Sequence, residues 1–259
     1  MAGLLSCLSM GAQYDAIGGR YAGWKETPVP TYAEVPTVRR LLAGQVEGRE
    51  VLDLACGTGY YSRKLKQWGA ARVVGVDVSQ AMIAEAREAE AREKAGIEYV
   101  LADAAALPVL GAFDLATAMY LLHYAETPEA MRDMCRNIAA NLKSSGKLVA
   151  LLPEPDYVLG KGETERYGFT YRLVAGDQDW MLVHADVHTD PPFSIEYRHW
   201  ARRVFEDVLH AASFTDLRWH PFAVSPEGLA KFGEAYWQDF LANPVSTILT
   251  ARLPGSSGR

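Results

Sequence analysis

The chain of 259 residues is poor in the features that mark specialised protein classes. Its three cysteines, Cys7, Cys56 and Cys135, are odd in number and widely spaced. Neither a disulfide framework nor a zinc knuckle is indicated, and a reducing, cytoplasmic setting is expected. No stretch approaches the roughly 20 apolar residues of a membrane span, so no membrane partner is expected. The opening MAGLLSCLSM lacks a basic flank and a cleavage site, and does not read as a signal peptide. Positive charge is in deficit: 26 Lys and Arg against 32 Asp and Glu give a formal net charge of -6. That balance argues against a nucleic-acid partner and for a small-molecule one. Repeats and low-complexity tracts are absent, and residues 255–259 read as a frayed tail. A composition of 49% hydrophobic and 22% charged residues excludes a disordered or fibrous chain. The length admits one large domain or two small ones, and says nothing of oligomeric state.

What is present is an alternation of strands and helices. Residues 1–48 are dotted with aromatics and prolines and read as an arm, with one helix near 32–43. Val51-Leu52-Asp53-Leu54 is a β-favouring apolar run that ends in Cys56-Gly57-Thr58-Gly59. A helix is expected over 60–67 and a second buried strand over 72–77. Ser79 suits an N-cap, and Glu88/Arg92 and Glu90/Lys94 stand at i,i+4 on the helix that follows. Strands are expected at 97–101, 113–119 and 147–152. Thr127-Pro128 should open the helix between the last two, and Gly146 should stop it. Residues 153–200 are polar, aromatic and punctuated by Gly and Pro, with one or two extended pieces. A helix over 204–212, a strand over 217–224, a helix over 226–241 and a strand over 245–253 complete the expectation. This spacing predicts an α/β fold with a mostly parallel sheet covered on both faces.

Gly57-x-Gly59 between a strand and a helix lets the backbone turn sharply and lets a ligand lie against it. Asp77 ends the second strand, 20 residues after Gly57, where a carboxylate can accept both hydroxyls of a ribose. The combination points to an adenosine-containing cofactor. A dinucleotide site would place a small residue where Ser62 stands, and here Tyr60 and Tyr61 crowd the turn. Asp53, just before the turn, would repel a pyrophosphate but suits an ammonium group. S-adenosylmethionine, which has an ammonium, a sulfonium and no phosphate, is favoured over NAD.

VLDLACGTGYYS (51–62) closely resembles motif I of the class I S-adenosylmethionine-dependent methyltransferases. VVGVDVSQAMI (73–83), LADAAALP (101–108) and FDLATAMYLLHYA (113–125) resemble the family segments that carry the ribose-binding acid, the adenine-facing Asp and motif IV. The resemblance covers about residues 49–152. Further motifs are Tyr14-Asp15-x-Ile17-Gly18-Gly19, Glu154-Pro155-Asp156-Tyr157, Lys161-Gly162 and Thr189-Asp190-Pro191-Pro192, with the region of Phe214. These are similar to bacterial small-molecule enzymes of the toxoflavin-pathway N-methyltransferase type.

The resemblance implies a Rossmann-like seven-stranded sheet, its last strand antiparallel, in a single domain. Within it, 1–48 would be an arm or lid, 49–152 the cofactor core, 153–200 a substrate-side insertion, and 201–259 the rest of the sheet. It implies methyl transfer from S-adenosylmethionine, leaving S-adenosylhomocysteine, to a small nitrogen-containing aromatic acceptor. O- or C-methylation, an NAD-dependent oxidoreductase, a non-catalytic cofactor-binding protein and a protein acceptor remain as alternatives. By the same resemblance Asp53, Ala55, Gly57 and Gly59 hold the methionine moiety. Asp77 takes the ribose, Val78 and Met82 flank the adenine, and Asp103 and Ala104 meet its edge. Tyr120 lies near the sulfonium, and Tyr14 meets the cofactor carboxylate or closes over the methyl group.

In-line methyl transfer needs placement and exclusion of water more than leaving-group stabilisation. Aromatic rings near a sulfonium help through cation–π attraction, and Tyr14, Trp24, Tyr120 and Tyr124 are candidates, with plain packing as the alternative. Trp180 is a candidate wall for a planar substrate. His184, Asp186, His188 and Asp190 alternate and would share one face if extended. They read as a solvated strand face, as a pocket wall with His184 or Asp186 as hydrogen-bond partner or base, or as a metal site, which nothing in the resemblance calls for. His123 is a candidate substrate contact or structural residue. Cys56 reads as a small fitting residue, and Asp190-Pro191-Pro192-Phe193 as a turn.

Overall fold

The computed structural model describes residues 10–17 and 20–255. Cys7, the opening nine residues, Gly18, Gly19 and the last four residues lie outside it. No helix among the described residues is long and apolar enough to cross a membrane.

The chain opens with α1 (Met10–Ile17) and α2 (Arg20–Lys25), a π-helical turn (Pro30–Glu34) and α3 (Val35–Leu42). Then come β1 (Glu50–Leu54), α4 (Tyr60–Gln67), β2 (Arg72–Asp77), α5 (Gln80–Glu93), β3 (Ile97–Leu101), β4 (Phe113–Met119), α6 (Pro128–Ala140) and β5 (Leu142–Pro153). The elements β6 (Phe169–Gly176), β7 (Trp180–Val187) and β8 (Phe193–Trp200) precede α7 (Arg202–Ala211), β9 (Thr215–Pro221), α8 (Pro226–Phe232), α9 (Glu234–Ala242) and β10 (Ser246–Arg252).

Seven strands form one sheet in the order β3-β2-β1-β4-β5-β10-β9. Strands β1 to β5 pair in parallel, and β10, the last in the chain, runs antiparallel to both β5 and β9. This is the Rossmann-like methyltransferase fold that the motif resemblance implied. Parallel strands read as unbroken apolar runs because both faces are covered, and successive residues serve opposite faces. Val51, Val73, Leu115 and Val149 pack against α3 and α4 on one side. Leu52, Val74, Ala116 and Leu148 pack against α6 and α7 on the other.

Local signals operate where they were read. The Ser79 hydroxyl accepts the Met82 N–H, and Thr127 caps α6 by accepting the Ala130 N–H. Four expectations need correction. Helix α6 ends at Ala140, capped by Asn141, so Gly146 is no helix stop. Gly146 lies in β5 where the register against β4 shifts, and a Cβ there would stand 2.7 Å from the Lys143 carbonyl. The helix expected over 226–241 is two, separated at Gly233. Lys94 sits past the end of α5, so Glu90 takes the Gly96 N–H instead, while Arg92 and Glu88 do pair, at 2.8 Å.

The largest correction concerns residues 153–200, which hold a three-stranded antiparallel sheet, β6-β7-β8, where one or two extended pieces were expected. Its apolar face carries Phe169, Val183, Ala185, Val187 and Phe193, all buried. The Asp190–Pro191 step lies in the β7–β8 connection, as the turn reading had it.

Candidate active site

The sheet order reverses between β1 and β4, and a ligand crevice forms at the carboxyl ends of strands at such a switch point. Each of these strands is followed by a non-glycine residue in the left-handed region, Ala55 at φ 53 and Tyr120 at φ 61. Residues other than glycine adopt that conformation rarely and at a cost, so the pair marks a constrained site. Both line a cavity of about 380 Å³, together with Tyr14, Tyr21, Gly57, Asp77, Met82 and Met119. Its place, at the carboxyl ends of the strands beside the switch point, is where small ligands bind in such sheets.

The Gly-rich turn is shaped by two features. A Cβ on Gly59, at φ +82, would lie 2.1 Å from the Tyr99 hydroxyl, so only glycine fits. Gly57 has open space where a Cβ would stand, on the cavity side. Its N–H donates to Asp77 Oδ2 at 2.8 Å, and Ser79 N–H donates to Oδ1 at 2.9 Å. Burial raises the Asp77 pKa above the usual carboxylate value, and these backbone donors partly offset it. Asp53 lies beneath the turn, fully buried, and accepts the Ser62 hydroxyl at 2.6 Å and the Thr117 hydroxyl at 2.7 Å. Burial pushes its pKa up to about 6. With Asp77 in the wall and Asp53 below it, a pyrophosphate would meet negative charge. An adenosine with an amino-acid tail fits.

The arm forms part of the wall. Asp15 accepts the Ser79 hydroxyl and the Ala81 N–H, which fastens α1 to the start of α5. The Tyr14 and Tyr21 rings meet edge to face at 5.7 Å. Tyr14, Tyr21 and Tyr120 also line a second cavity, of about 650 Å³, so the two are adjacent. The second cavity is bounded further by Trp24, His123 and Tyr124 and by the apolar face of the small sheet, including Tyr171, Ala185, Ile195 and Tyr197. No Asp, Glu, Lys or Arg is among its lining residues. The Tyr14 and Tyr124 hydroxyls are 2.7 Å apart, and Tyr120 donates to Glu34 Oε2 at 3.1 Å.

His123 is the imidazole in this wall, flanked by the rings of Tyr124 at 4.3 Å and Tyr197 at 5.4 Å. Its Nδ1 is buried with no hydrogen-bond partner among the described residues. Burial lowers its pKa from 6.5 to about 3, so the ring is neutral at pH 7. The sign for stability follows from the unfolded chain, which binds a proton near 6.5 when the fold does not. Stability contributed by the neutral ring is present above 6.5 and is lost as pH falls towards about 3. At pH 5 the loss is about 2 kcal/mol, from about 1.5 pKa units at 1.36 kcal/mol each. Denaturant unfolding at pH 7.5 and pH 5 should show His123→Gln losing about 2 kcal/mol less than the wild type over that interval. Equal losses would remove the buried neutral imidazole.

The structure separates other expected site residues from these cavities. In β7, Ala185 and Val187 face the cavity, while His184 and Asp186 point to the opposite face. There His184 lies 3.1 Å from both Asp186 Oδ1 and Glu196 Oε1. Strand β7 ends at Val187; His188 still reaches the polar face through a 3.3 Å contact with Thr170, the β6 partner of Asp186, while Asp190 falls in the β7–β8 connection. Trp180 lies under the Arg198 guanidinium, 5.0 Å from its ring centroid, and not in the acceptor wall. Asp103 is exposed and caps a turn through the Ala105 N–H, and Ala104 is buried in the core; neither lines the cofactor cavity, and nor does half-buried Val78. Tyr21, Tyr171 and Tyr197 were not singled out from the sequence, although strand alternation marks the last two.

The fold and this cavity pair define a class, and comparison with known proteins names it. Residues 51–146 match the family model described as a methyltransferase domain. The ubiquinone biosynthesis O-methyltransferase of Coxiella burnetii is 36% identical over 179 residues, 68% of this chain and 70% of that one. The chain belongs to the class I S-adenosylmethionine-dependent methyltransferases, and its cofactor is S-adenosylmethionine. An S-adenosylmethionine-dependent methyltransferase of Mesorhizobium loti shares the fold at TM-score 0.63 and 22% identity, over 89% of this chain and 100% of that one. The 1,6-didemethyltoxoflavin-N1-methyltransferase of Burkholderia thailandensis shares it at TM-score 0.53 and 20% identity, over 85% and 77%. A tRNA U34 carboxymethyltransferase of Pseudoalteromonas translucida is 30% identical over 125 residues, 47% of this chain and 38% of that one. With such a relative, acidic composition does not by itself exclude a nucleic-acid acceptor.

Proposed function

We propose that this methyltransferase acts on a small, planar, uncharged acceptor held in the 650 Å³ cavity, and that the accepting atom is a ring nitrogen. The observation that carries the reading is the wall of that cavity, aromatic and free of charged side chains, beside the cofactor cavity. A concave, largely aromatic wall without charged side chains suits a flat heteroaromatic molecule better than a phosphate-bearing tRNA. Nitrogen is supported by the motif likeness to the toxoflavin-pathway type. The Coxiella relative, named as an O-methyltransferase, favours oxygen as the second reading.

S-adenosylmethionine supplies an electrophilic methyl on a sulfonium, with a neutral thioether as leaving group. In this reading the chain supplies placement and dryness, which account for much of the rate in such a displacement. Tyr120 stands between the cavities, Tyr14 and Tyr21 close over both, and Tyr124, Trp24 and the small sheet hold the acceptor plane. His123, neutral and unpartnered, accepts a hydrogen bond from an acceptor N–H and keeps the lone pair aimed. In this division 1–48 is the lid, 49–152 the cofactor core, 153–200 the acceptor wall and 201–259 the rest of a single domain. The few unpaired cysteines support a cytoplasmic setting.

The test is a panel of acceptors with S-adenosylmethionine, read as S-adenosylhomocysteine released and as N- or O-methyl product by mass spectrometry and NMR. Pyrimidine-fused heteroaromatics should be converted to N-methyl products. Conversion of catechols alone, or of tRNA, would overturn the reading.

A further inference from the structure

Six tyrosines line the cavity of about 650 Å³, and three of them bond their hydroxyls within the protein. Tyr14 and Tyr124 pair at 2.7 Å, and Tyr120 meets both Glu34 and Ser246 at 3.1 Å. The hydroxyls of Tyr21, Tyr171 and Tyr197 have no hydrogen-bond partner among the described residues. Tyr21 also lines the cofactor cavity, so Tyr171 and Tyr197 are the two that belong to the acceptor side alone.

Tyr171 lies in β6 opposite Ala185, and Tyr197 in β8 opposite Val183. Cross-strand partners share a face, and so do residues two apart on β7, so both rings stand on the apolar face, one on each side of that strand. Burial raises both phenols above their ordinary pKa, and a neighbouring phenol raises each further, Tyr197 for Tyr171 and Tyr157 for Tyr197. Both hydroxyls therefore stay protonated and serve as donors. Packing does not call for them. The Tyr171 ring lies 5.2 Å from Phe169 and the Tyr197 ring 5.4 Å from His123, contacts that phenylalanine would make as well. A buried hydroxyl ordinarily has a partner, and here the cavity is where one can stand.

We propose that Tyr171 and Tyr197 donate hydrogen bonds to carbonyl oxygens on the edge of the acceptor, so that the substrate class is a planar heteroaromatic with ring carbonyls. The cavity wall has no Lys or Arg to neutralise a carboxylate or phosphate, so the accepting oxygen is uncharged. A ring carbonyl is a neutral acceptor whose lone pairs lie in the plane of the ring, where the edge of a flat molecule meets the wall. An amino group there would bring more donors to a wall already supplied with them. The proposal rests on the reading of this cavity as the acceptor site and adds what the acceptor carries.

Calorimetric titration of the full chain, saturated with S-adenosylhomocysteine, tests this with two probes of one shape. Lumazine is a pyrimidine-fused bicycle with two ring carbonyls; diaminopteridine has amino groups in their place. The wild type should bind lumazine the more tightly, by about 10-fold or more. Tyr171→Phe and Tyr197→Phe should each weaken lumazine by about 3- to 10-fold, the range for one neutral hydrogen bond, and leave diaminopteridine within about twofold. Circular dichroism and unchanged S-adenosylhomocysteine affinity check the fold of each variant. The two variants are independent, so failure of one to fold leaves the other to decide. Lumazine affinity unchanged in the variants, or a wild type that prefers diaminopteridine, overturns the carbonyl assignment and keeps the cavity as an acceptor site. A wild type that binds neither probe overturns the reading of the cavity itself.

Discussion

Asp77→Ala should weaken S-adenosylhomocysteine binding by at least about 100-fold, because on the proposed ribose-binding role of Asp77 two charge-assisted hydrogen bonds are lost together. The carboxylate stands in the cofactor wall and is held there by the Gly57 and Ser79 N–H groups. Its removal therefore acts twice. The ribose hydroxyls lose a charged acceptor, and the Gly57 N–H loses the partner that fixes the turn. Asp77→Asn separates the two effects, since an amide keeps one acceptor oxygen but no charge. It should bind between wild type and Asp77→Ala on calorimetry. Wild-type affinity for the alanine variant would remove Asp77 from the ribose site.

The cofactor half was legible because local and tertiary demands coincide there. An apolar strand, a turn that only glycine can make at Gly59, and a carboxylate at the next strand end each have one reading. Ser79 and Thr127 announce helix starts because an N-cap needs a side-chain acceptor at that residue. Helix ends were harder. Asn141 stops α6 with its side chain on the Leu110 N–H, a partner 31 residues away that no local pattern announces.

The acceptor half was less legible for a different reason. The alternation through His184 and Asp186 was read, but alternation alone does not say which face turns inward. Val183, Ala185 and Val187 hold that information, since the apolar face packs. The polar residues drew attention by their chemistry and proved to face away from the cavity. Lys25 and Glu34 show the opposite failure. Lone charges in a Pro-rich arm suggest solvent exposure, and only the folded arm buries them together.

Two neighbours in β7 put the acceptor wall to the test. Ala185 is 2% exposed and borders the 650 Å³ cavity, while His184, next to it, faces away. Ala185→Trp places an indole in the cavity proposed to hold the acceptor. Displacing the acceptor by even an ångström costs about 100-fold in an in-line transfer, so at least that loss of turnover is expected. Ala185 does not line the cofactor cavity, so S-adenosylhomocysteine affinity should stay within about threefold on calorimetry, too small a change to reflect a lost contact. His184→Ala should change turnover by no more than about fivefold, because His184 does not line the cavity and the bonds it breaks are partly exposed pairs to Asp186 and Glu196, each contributing about 1 kcal/mol or less. Both variants are assayed with the best acceptor from the panel. Loss of turnover in His184→Ala with Ala185→Trp unaffected would turn the sheet over and move the acceptor to its polar face.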